Sequence, residues 1–480
     1  MADINTLAGL RVVIVGLGQE GTALATYLVR HGFRVTVTDA QPAEKLGSVP
    51  ATLAAAGVSL VLGEHPLSLL DEADLLLVSP GVPLEIPFLE AARARKIPLS
   101  TESRLFCYLC PAQIIGITGS SGKTTTTTLV GKIMEASGRK TWVGGNIGRP
   151  LIEVVGQISP ADVVVMELSS FQLEYFHARL NQGVKTEHPG LAALLANWSP
   201  PISAILNITP NHLDRHPSMK HYVRAKRAVI DYQGSEGVII MGLDNDMTRT
   251  IGHQYRNKVR WFSLEAQMPN GASLARNDLI LLDQNSMPHF VATRQEIKLR
   301  GPHNLSNILA ACLLTREAGA SIEAMRSVIT TFSGVTHRLE FVRERQGVNY
   351  FNDSVSTTPG RLIAALHSYN EPIVLLAGGR DKNLPWEDAA RLILHKVRVV
   401  ILFGEATELI AKALDKVRHE IPQSQTSVQR AANLEEAVNL AAQLAQPGNV
   451  VLLSPGCASY DAFRNYAERG ERFKELVQKL

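Results

Sequence analysis

The sequence predicts an α/β protein with three domains: an N-terminal Rossmann-like domain, a central P-loop-type ATPase domain and a C-terminal Rossmann-like domain. Short runs of apolar, β-branched residues alternate with helical segments along the chain, which is typical of parallel sheets. Gly-rich turns follow two of these runs, at 16–21 and 119–122. The 480 residues are enough for roughly three domains. We expect the domains at 1–110, 111–334 and 335–480.

Composition and charge exclude several classes of protein. The net charge of +3 is too small to predict a nucleic-acid or membrane partner. No apolar run approaches the roughly 20 residues of a membrane span. The four cysteines include one C-x-x-C pair, Cys107 and Cys110, without the second pair that a zinc site needs. The first residues lack the basic segment of a signal peptide, so we expect a cytoplasmic chain, and we expect a monomer.

The segment 114–125 predicts a phosphate-binding loop. An apolar run ends in Thr-Gly-Ser-Ser-Gly-Lys-Thr at 118–124, and further threonines lead into a helical segment. Gly119 and Gly122 allow the backbone N–H groups to turn around a phosphate, and the helix N-terminus adds positive potential. Lys123 is expected to contact the β- and γ-phosphates, and the Thr124 hydroxyl to bind Mg²⁺. Ile117 stands where the full Walker pattern has its first glycine.

Residues 10–39 predict a βαβ unit with a G-x-G-x-x-G turn at 16–21 and an acidic residue, Asp39, after the second strand. This pattern is typical of an NAD site, but the same turn can hold any nucleotide diphosphate. A third apolar run ends in Ser79-Pro-Gly81.

Polar side chains also follow the predicted strands of the central domain. Glu167 ends the strand 161–167, where P-loop enzymes place an acid that handles Mg²⁺. Asn146 lies in a turn-rich loop at 143–150, and His212 follows the strand 204–209. Lys226 is on a predicted helix. The segment 301–307 is expected to cap a helix beginning near Leu305, and it offers two amides, Asn304 and Asn307.

The C-terminal domain is expected to open near 335. Thr358 as N-cap and Pro359 as first helical residue predict the start of a helix. The hydroxyl groups before Pro359, together with this helix N-terminus, favour the binding of an anion. Strands with polar loops are predicted at 373–382 and 450–459, and an amphipathic helix at 468–480.

Together these motifs resemble the Mur ligase family of ATP-dependent amide-forming enzymes of peptidoglycan precursor synthesis. The motifs that carry the resemblance are at 118–124, 167–172, 211–215, 301–304, 337–338 and 352–354, and it covers the whole chain. It implies ATP and Mg²⁺ as cofactors, and UDP-N-acetylmuramoyl-L-alanine and glutamate as substrates. It also implies that the 16–21 loop holds a uridine diphosphate rather than NAD.

The resemblance implies a role for each matching residue. Catalytic residues would be Lys123, Glu167, His212 and Lys226, with Lys226 carbamylated. The metal ligands would be Thr124, Glu167, His212 and the carbamylated Lys226. ATP would be held across a gap between domains by Gly119, Ser120, Ser121, Gly122, Lys123, Thr124, Thr125, Asn304, Asn307, Arg338 and Asp353. The other substrates would contact Gly18, Gln19, Glu20, Asp39, Ser79, Gly81, Asn146, Ser354, Thr357, Lys382, Ser459 and Tyr466.

Three positions depart from the family pattern. Val355 stands where a lysine usually follows the Asp-Ser pair, Tyr466 replaces a phenylalanine, and Ser121 replaces an asparagine. Loss of a cation weakens a pocket for a dicarboxylate, unless Lys382, Arg361 or the hydroxyl groups of 354–358 compensate. Ligation of L-glutamate instead of D-glutamate therefore stays open.

Three other classes of function are weaker alternatives. An NAD-dependent oxidoreductase explains the first βαβ unit but not the phosphate loop, Glu167 or His212. A folylpolyglutamate-type ligase lacks an N-terminal UDP domain. A non-catalytic nucleotide-binding regulator would not need Lys123, Glu167, His212 and Lys226 together.

Overall fold

A computed structural model describes residues 3–212, 215–255, 258–382 and 384–480. The chain forms two compact units, one of Met1–Glu296 with Ser306–Thr330 and one of Ile297–Leu305 with Thr331–Leu480. Within the described residues, no helix combines the length and the apolar character that crossing a membrane requires.

The first unit begins with a parallel sheet of order β3-β2-β1-β4-β5. Its strands are β1 Arg11–Val15, β2 Arg34–Asp39, β3 Ser59–Leu62, β4 Leu75–Val78 and β5 Leu99–Ser100. Its helices are α1 Gln19–Arg30, α2 Val49–Ala55, α3 Pro87–Ala94 and α4 Glu102–Leu109. All four residues of β4 are buried, as expected for a central strand covered on both faces.

The second sheet of this unit has the order β14-β13-β12-β11-β10-β9-β6-β8-β7. It is parallel from β7 to β12, and β13 and β14 extend it as an antiparallel hairpin. Its strands are β6 Gln113–Thr118, β7 Thr141–Gly145, β8 Val163–Glu167, β9 Ile202–Ile205, β10 Val238–Gly242, β11 Val259–Ser263, β12 Ala272–Ala275, β13 Asp278–Leu282 and β14 Pro288–Thr293. The helices that follow along the chain are α5 Lys123–Ala136, α6 Ser170–Leu173, α7 Pro189–Leu195, α8 Met219–Arg227, α9 Asp246–Gly252, α10 Pro302–Glu317 and α11 Ile322–Ile329.

The second unit contains a sheet of order β15-β16-β20-β17-β18-β19, in which only the β15–β16 pair is antiparallel among the described strands. Its strands are β15 Glu340–Arg345, β16 Val348–Asn352, β17 Ile373–Gly378, β18 Val397–Phe403, β19 Ser427–Arg430 and β20 Val450–Gly456. Its helices are α12 Pro359–Leu366, α13 Glu387–Lys396, α14 Thr407–Arg418, α15 Leu434–Leu444 and α16 Tyr466–Lys479. Buried apolar clusters lie on both faces of this sheet.

The predicted three-domain α/β class is confirmed, with three differences in detail. Residues 143–145 were expected in a loop, but they belong to β7, the edge strand that pairs in parallel with β8. The helix expected near Leu305 begins at Pro302, directly after Gly301, because proline is tolerated at the first helical position. The strand expected at 204–209 ends at Ile205, and the chain that follows it instead contacts the phosphate loop.

Candidate active site

The phosphate loop lies between β6 and α5 in the first unit. Gly122 caps α5 with a φ of +82°, and a Cβ there would come within 2.2 Å of Asn307 Oδ1. A Cβ on Gly119 would lie 3.1 Å from Leu206 Cβ, a tight contact to which the neighbouring side chain would have to adjust. Lys123 Nζ donates to the carbonyl of Gly119 at 3.0 Å. The predicted strand–loop–helix is confirmed, and its helix N-terminus and lysine suit a phosphate.

Residues after β9 hold the phosphate loop in place. The Ser121 N–H donates to Asn207 Oδ1 at 2.9 Å, and Asn207 Nδ2 donates to the Ser121 carbonyl at 3.2 Å. The Ser120 hydroxyl lies 3.0 Å from the carbonyl of Thr209 and 2.9 Å from the Tyr222 hydroxyl. The Thr125 hydroxyl is buried without a hydrogen-bond partner in the described part of the chain. Sequence reasoning missed Asn207, although a polar residue directly after an apolar strand is a signal that could have found it.

Glu167 is at the end of β8 and is 2% exposed. Its Oε2 accepts the Thr124 hydroxyl at 2.8 Å and its Oε1 accepts Asn146 Nδ2 at 3.0 Å. The Asn146 N–H also donates to the Glu167 carbonyl at 2.8 Å. The structure therefore brings together the predicted residues Thr124, Asn146 and Glu167.

The oxygen donors of Thr124 and Glu167 fit Mg²⁺. No group of three or more His, Cys, Asp or Glu side chains suited to a metal occurs within the described ranges. Mg²⁺ is usually bound through one or two carboxylates, with waters and substrate phosphates as its other ligands. The donor set thus fits a magnesium ion that arrives with a triphosphate rather than one enclosed by protein.

Lys226 on α8 is a buried lysine beside the phosphate loop. It is 1% exposed, and its Nζ donates to the Gly119 carbonyl at 2.8 Å and to Thr118 Oγ1 at 3.3 Å. Burial, and then the charge of Lys123, lower the pKa of Lys226 well below its usual value, while Glu167 opposes the shift. A lowered pKa increases the share of the neutral amine, which is the nucleophilic form.

His212 is exposed on the loop after β9, with a left-handed φ of +54°. Its ring lies 5.1 Å from that of Phe171. The same motif contributes His216, which sequence reasoning missed. His216 is 1% exposed, with Nε2 2.9 Å from the Ser170 hydroxyl and Nδ1 3.3 Å from Glu174. Leu213 and Asp214 lie outside the described residues.

The G-x-G-x-x-G loop follows β1 and leads into α1. Gly16 has a φ of +95°, and a Cβ on Gly21 would lie 2.0 Å from the Gly16 carbonyl oxygen. Gly18, by contrast, is exposed and is the N-cap of α1, and no side-chain capping bond is made there to the first N–H groups of the helix. The Asp39 carboxylate accepts the N–H of Leu17 at 2.6 Å, so it stabilises the loop itself.

Three more of the predicted substrate residues lie around this loop. The Ser79 hydroxyl donates to the Gly16 carbonyl at 2.8 Å. The carbonyl of Gly81 accepts Arg215 at 3.1 Å. Gln19 Nε2 is 3.5 Å from the carbonyl of Gly148, at the limit of a hydrogen bond.

Contacts from the central domain reach this region within the first unit. The Arg215 guanidinium donates to the carbonyls of Pro80 at 3.3 Å and Val82 at 3.3 Å as well as to that of Gly81. Glu20, the second residue of α1, does not point toward solvent, because Gln172 Nε2 donates to its Oε1 at 2.9 Å.

In the second unit, Asp353 follows β16 and is 2% exposed. It accepts the N–H of Leu339 at 3.2 Å and the Ser454 hydroxyl at 2.9 Å. Burial raises the pKa of Asp353 to about 6, against the opposing effect of its hydrogen bonds and of Arg338. Asn304 Nδ2 donates to the carbonyl of Arg300 at 2.7 Å.

The other predicted residues of this unit follow the ends of β16, β17 and β20 or begin α16. Lys382 is exposed, and its Nζ is 3.2 Å from Thr357 Oγ1. Ser459 is buried after β20, and Tyr466, at the start of α16, is 43% exposed. The predicted helix start is confirmed, since α12 begins at Pro359 with Thr358 as N-cap, although the Thr358 side chain makes no capping bond.

Sequence reasoning missed Arg469, the largest fully buried side chain of the described residues. Its Nε donates to the Ser354 hydroxyl at 3.0 Å and its Nη2 to the Ser354 carbonyl at 2.9 Å. It also donates to the carbonyls of Cys457 at 3.1 Å and Ala458 at 3.2 Å. Arg469 thus joins α16 to the segments that follow β16 and β20, which contain Ser354 and Ser459.

Comparison with known proteins decides the family. The "Mur ligase MurD-like, N-terminal domain" matches residues 10–101, the "Mur ligase middle domain" residues 117–315, and the "Mur ligase, glutamate ligase domain" residues 337–457. A protein of Symbiobacterium thermophilum named UDP-N-acetylmuramoylalanine–D-glutamate ligase is 43% identical over 98% of both chains. One of the same name from Clostridium botulinum is 38% identical over 98% of this chain and 97% of its own.

The chain belongs to the Mur ligase family. Members of this family are ATP-dependent, amide-bond-forming ligases of peptidoglycan synthesis, and this chain is one of them. The solved UDP-N-acetylmuramate–alanine ligase of Thermotoga maritima shares the Mur ligase fold, with a TM-score of 0.58 and 17% identity over 98% of this chain and 99% of that chain.

Proposed function

We propose that this Mur ligase adds D-glutamate to UDP-N-acetylmuramoyl-L-alanine through an acyl phosphate. The alanyl carboxylate attacks the γ-phosphorus of ATP, and the bond to ADP breaks. The amine of glutamate then attacks the acyl carbon, phosphate leaves with the bonding electrons, and the nitrogen loses a proton. The observation that carries the proposal is the group Lys123, Thr124, Glu167 and Lys226 around the phosphate loop.

The first step joins two anions, so positive potential at the loop is its main requirement. Lys123 and the N-terminus of α5 supply it from this chain. Thr124 and Glu167 would hold Mg²⁺, which when bound draws charge from the phosphate oxygens. His212, exposed on the neighbouring loop, is proposed as a further contact for metal or substrate.

Carbamylation of Lys226 is part of the proposal. A neutral, buried amine can attack CO₂ to form a carbamate and release a proton. The change converts a lysine that lies near Lys123 into an anion, which suits a place where a second Mg²⁺ would bind.

We assign the uridine diphosphate, rather than NAD, to the N-terminus of α1. Gly18, Gln19, Asp39, Ser79 and Gly81 surround that end of the helix. Asn146 would contact the muramoyl group. The functional domains are proposed at 1–110, 111–334 and 335–480, in a cytoplasmic monomer.

The second unit is proposed to bind the incoming amino acid through Ser354, Thr357, Lys382, Ser459 and Tyr466. Val355 donates its N–H to the His337 carbonyl at 3.1 Å, and its own carbonyl accepts Arg361 at 3.0 Å. Arg361 contacts Val355 and Lys382 contacts Thr357, so both cations lie close to the position where the family pattern has a lysine. Asn304, Asn307, Arg338 and Asp353 are proposed to contact ATP.

A phosphate-release assay with UDP-N-acetylmuramoyl-L-alanine and ATP tests the proposal. D-Glutamate should support phosphate release, whereas L-glutamate and D-aspartate should not. Release with L-glutamate but not with D-glutamate would overturn the proposed D-configuration of the substrate. Lys123→Ala should abolish release, and Lys132→Ala, an exposed lysine on the same helix, should not. Full turnover by Lys123→Ala would refute the phosphate-loop assignment.

A second pair of measurements tests Lys226. Lys226→Ala should lose release and recover part of it with added formate, because a small carboxylate can replace the carbamate. The same addition should not rescue Lys123→Ala. Rescue of both variants would contradict a specific role for a carbamate at Lys226.

A further inference from the structure

Two buried carboxyl groups meet where α1 of the first sheet contacts the central domain, within the first unit. Glu102, the first residue of α4, is 1% exposed, and its Oε1 accepts the Ile152 N–H at 2.9 Å. Its Oε2 accepts the Ser103 hydroxyl at 3.2 Å. Gln172 Nε2 lies 2.9 Å from Ser103 Oγ and 2.9 Å from Glu20 Oε1. A chain of polar groups thus links the two carboxyl groups.

The neighbouring charges that act on this pair of carboxyl groups are negative. Glu20 Oε2 is buried and has no hydrogen-bond partner among the described residues. The charge of Glu102 acts on Glu20 and that of Glu153 acts on Glu102, and both charges are negative. The Cys107 thiol, whose pKa burial raises well above its usual value, also feels the charge of Glu102. Burial, followed by the charge of Glu102, raises the pKa of Glu20, and burial raises that of Glu102.

Because Glu20 lies in the first turn of α1, its charge affects the electrostatic potential at the N-terminus of that helix. It is the second residue of α1, and Gly18 leaves the first N–H groups of that helix without a side-chain cap. A helix N-terminus attracts an anion through these N–H groups and its dipole. An ionised carboxylate in the first turn would reduce that positive potential, and a neutral carboxyl group would not.

We propose that Glu20 is uncharged at neutral pH, and that its ionisation at alkaline pH weakens the binding of the substrate diphosphate at α1. Glu20 is then a positioning residue that acts through the potential of the helix. This inference rests on the proposed function, because it takes α1 as the site of the uridine diphosphate. Gln172 connects it to the segment after Glu167, since Gln172 also completes the capping box that starts α6.

The first test measures stability without ligand. A carboxyl group whose folded-state pKa is raised contributes stability that is fully present below the unfolded pKa and is lost as pH rises through the folded pKa. Glu20→Gln cannot ionise, so its unfolding temperature should rise relative to wild type between about pH 6 and about pH 9. A difference that stays constant over this range would overturn the uncharged Glu20.

The second test measures the affinity of UDP by calorimetry between about pH 7 and about pH 9.5. One added charge near the diphosphate should weaken wild-type binding about fivefold at the alkaline end, whereas Glu20→Gln should show no such loss. Glu102→Gln removes the neighbouring carboxylate, so the loss should move to lower pH. Glu90→Gln, which removes an exposed acid on α3, should follow wild type.

The outcomes separate the two proposals. An alkaline loss of equal size in wild type and Glu20→Gln would overturn the positioning role. UDP that binds at no pH would instead overturn the assignment of α1 to the diphosphate, and the positioning role with it. The stability test reports on the charge of Glu20 in either case.

Discussion

Replacement of Arg469 tests how the second unit holds its proposed amino-acid pocket. The side chain is fully buried on α16, and burial lowers its pKa to about 10, so the guanidinium is still charged at neutral pH. Arg469→Met keeps much of the apolar volume but removes the donors to the carbonyls of Ser354, Cys457 and Ala458. Each buried acceptor left without a donor costs about 1 kcal/mol, so the second unit should lose about 3 to 4 kcal/mol.

Hydrogen–deuterium exchange of peptides from β20 and α16 measures this loss as a local opening free energy. Arg472→Met is the matched control, because Arg472 is on the same helix and its ion pairs with Glu435 and Glu475 are largely exposed. That substitution should cost less than about 1 kcal/mol. Equal effects of the two substitutions would refute the conclusion that buried hydrogen bonds of Arg469 hold this unit together. The KM for glutamate should also rise in Arg469→Met, since Ser354 loses two hydrogen bonds.

Three further predictions concern Gly122, Asn207 and the buried carboxyl group of Asp353. Gly122→Ala should abolish ATP-dependent phosphate release, because its φ is +82° and its Cβ would meet Asn307, whereas Gly138→Ala, with a φ of +79° in open space, should retain it. Asn207→Ala should raise the KM for ATP about tenfold, since Ser121 loses its partner, and Asn277→Ala on an exposed turn should leave that KM unchanged. Asp353, with a pKa raised to about 6, contributes stability that is full below its unfolded pKa and is lost as pH rises through about 6. Urea unfolding should therefore show that the free energy of unfolding of Asp353→Asn, taken relative to that of wild type, is higher at a pH of about 7.5 than at a pH of about 4, by about 2 to 3 kcal/mol. The same relative free energy at both pH values would contradict the raised pKa.

Local pattern was enough to predict the framework of the molecule. The phosphate loop, the start of α1 and the position of Glu167 at a strand end each depend on a few consecutive residues. Such features follow from turn chemistry and strand periodicity, which a single sequence displays.

Partners that are distant in the chain could not be predicted in the same way. Asn207 meets Ser121 across 86 residues, and Arg469 meets Ser354 across 115. Glu20 shows the same limit. Its place in a dinucleotide-type loop suggested a contact with substrate, but the fold turns its carboxyl group toward Gln172, 152 residues away.

The carbonyls of residues 80–82 are the acceptors of one arginine, Arg215, that belongs to the following domain. The Glu102 carboxyl group, in turn, receives the N–H of Ile152. These bonds make the first 110 residues a poor candidate for modular exchange. A chimaera that takes this segment from a distant relative must also keep the backbone turn at 80–82. Otherwise the Arg215 guanidinium of the recipient protein loses its three carbonyl acceptors.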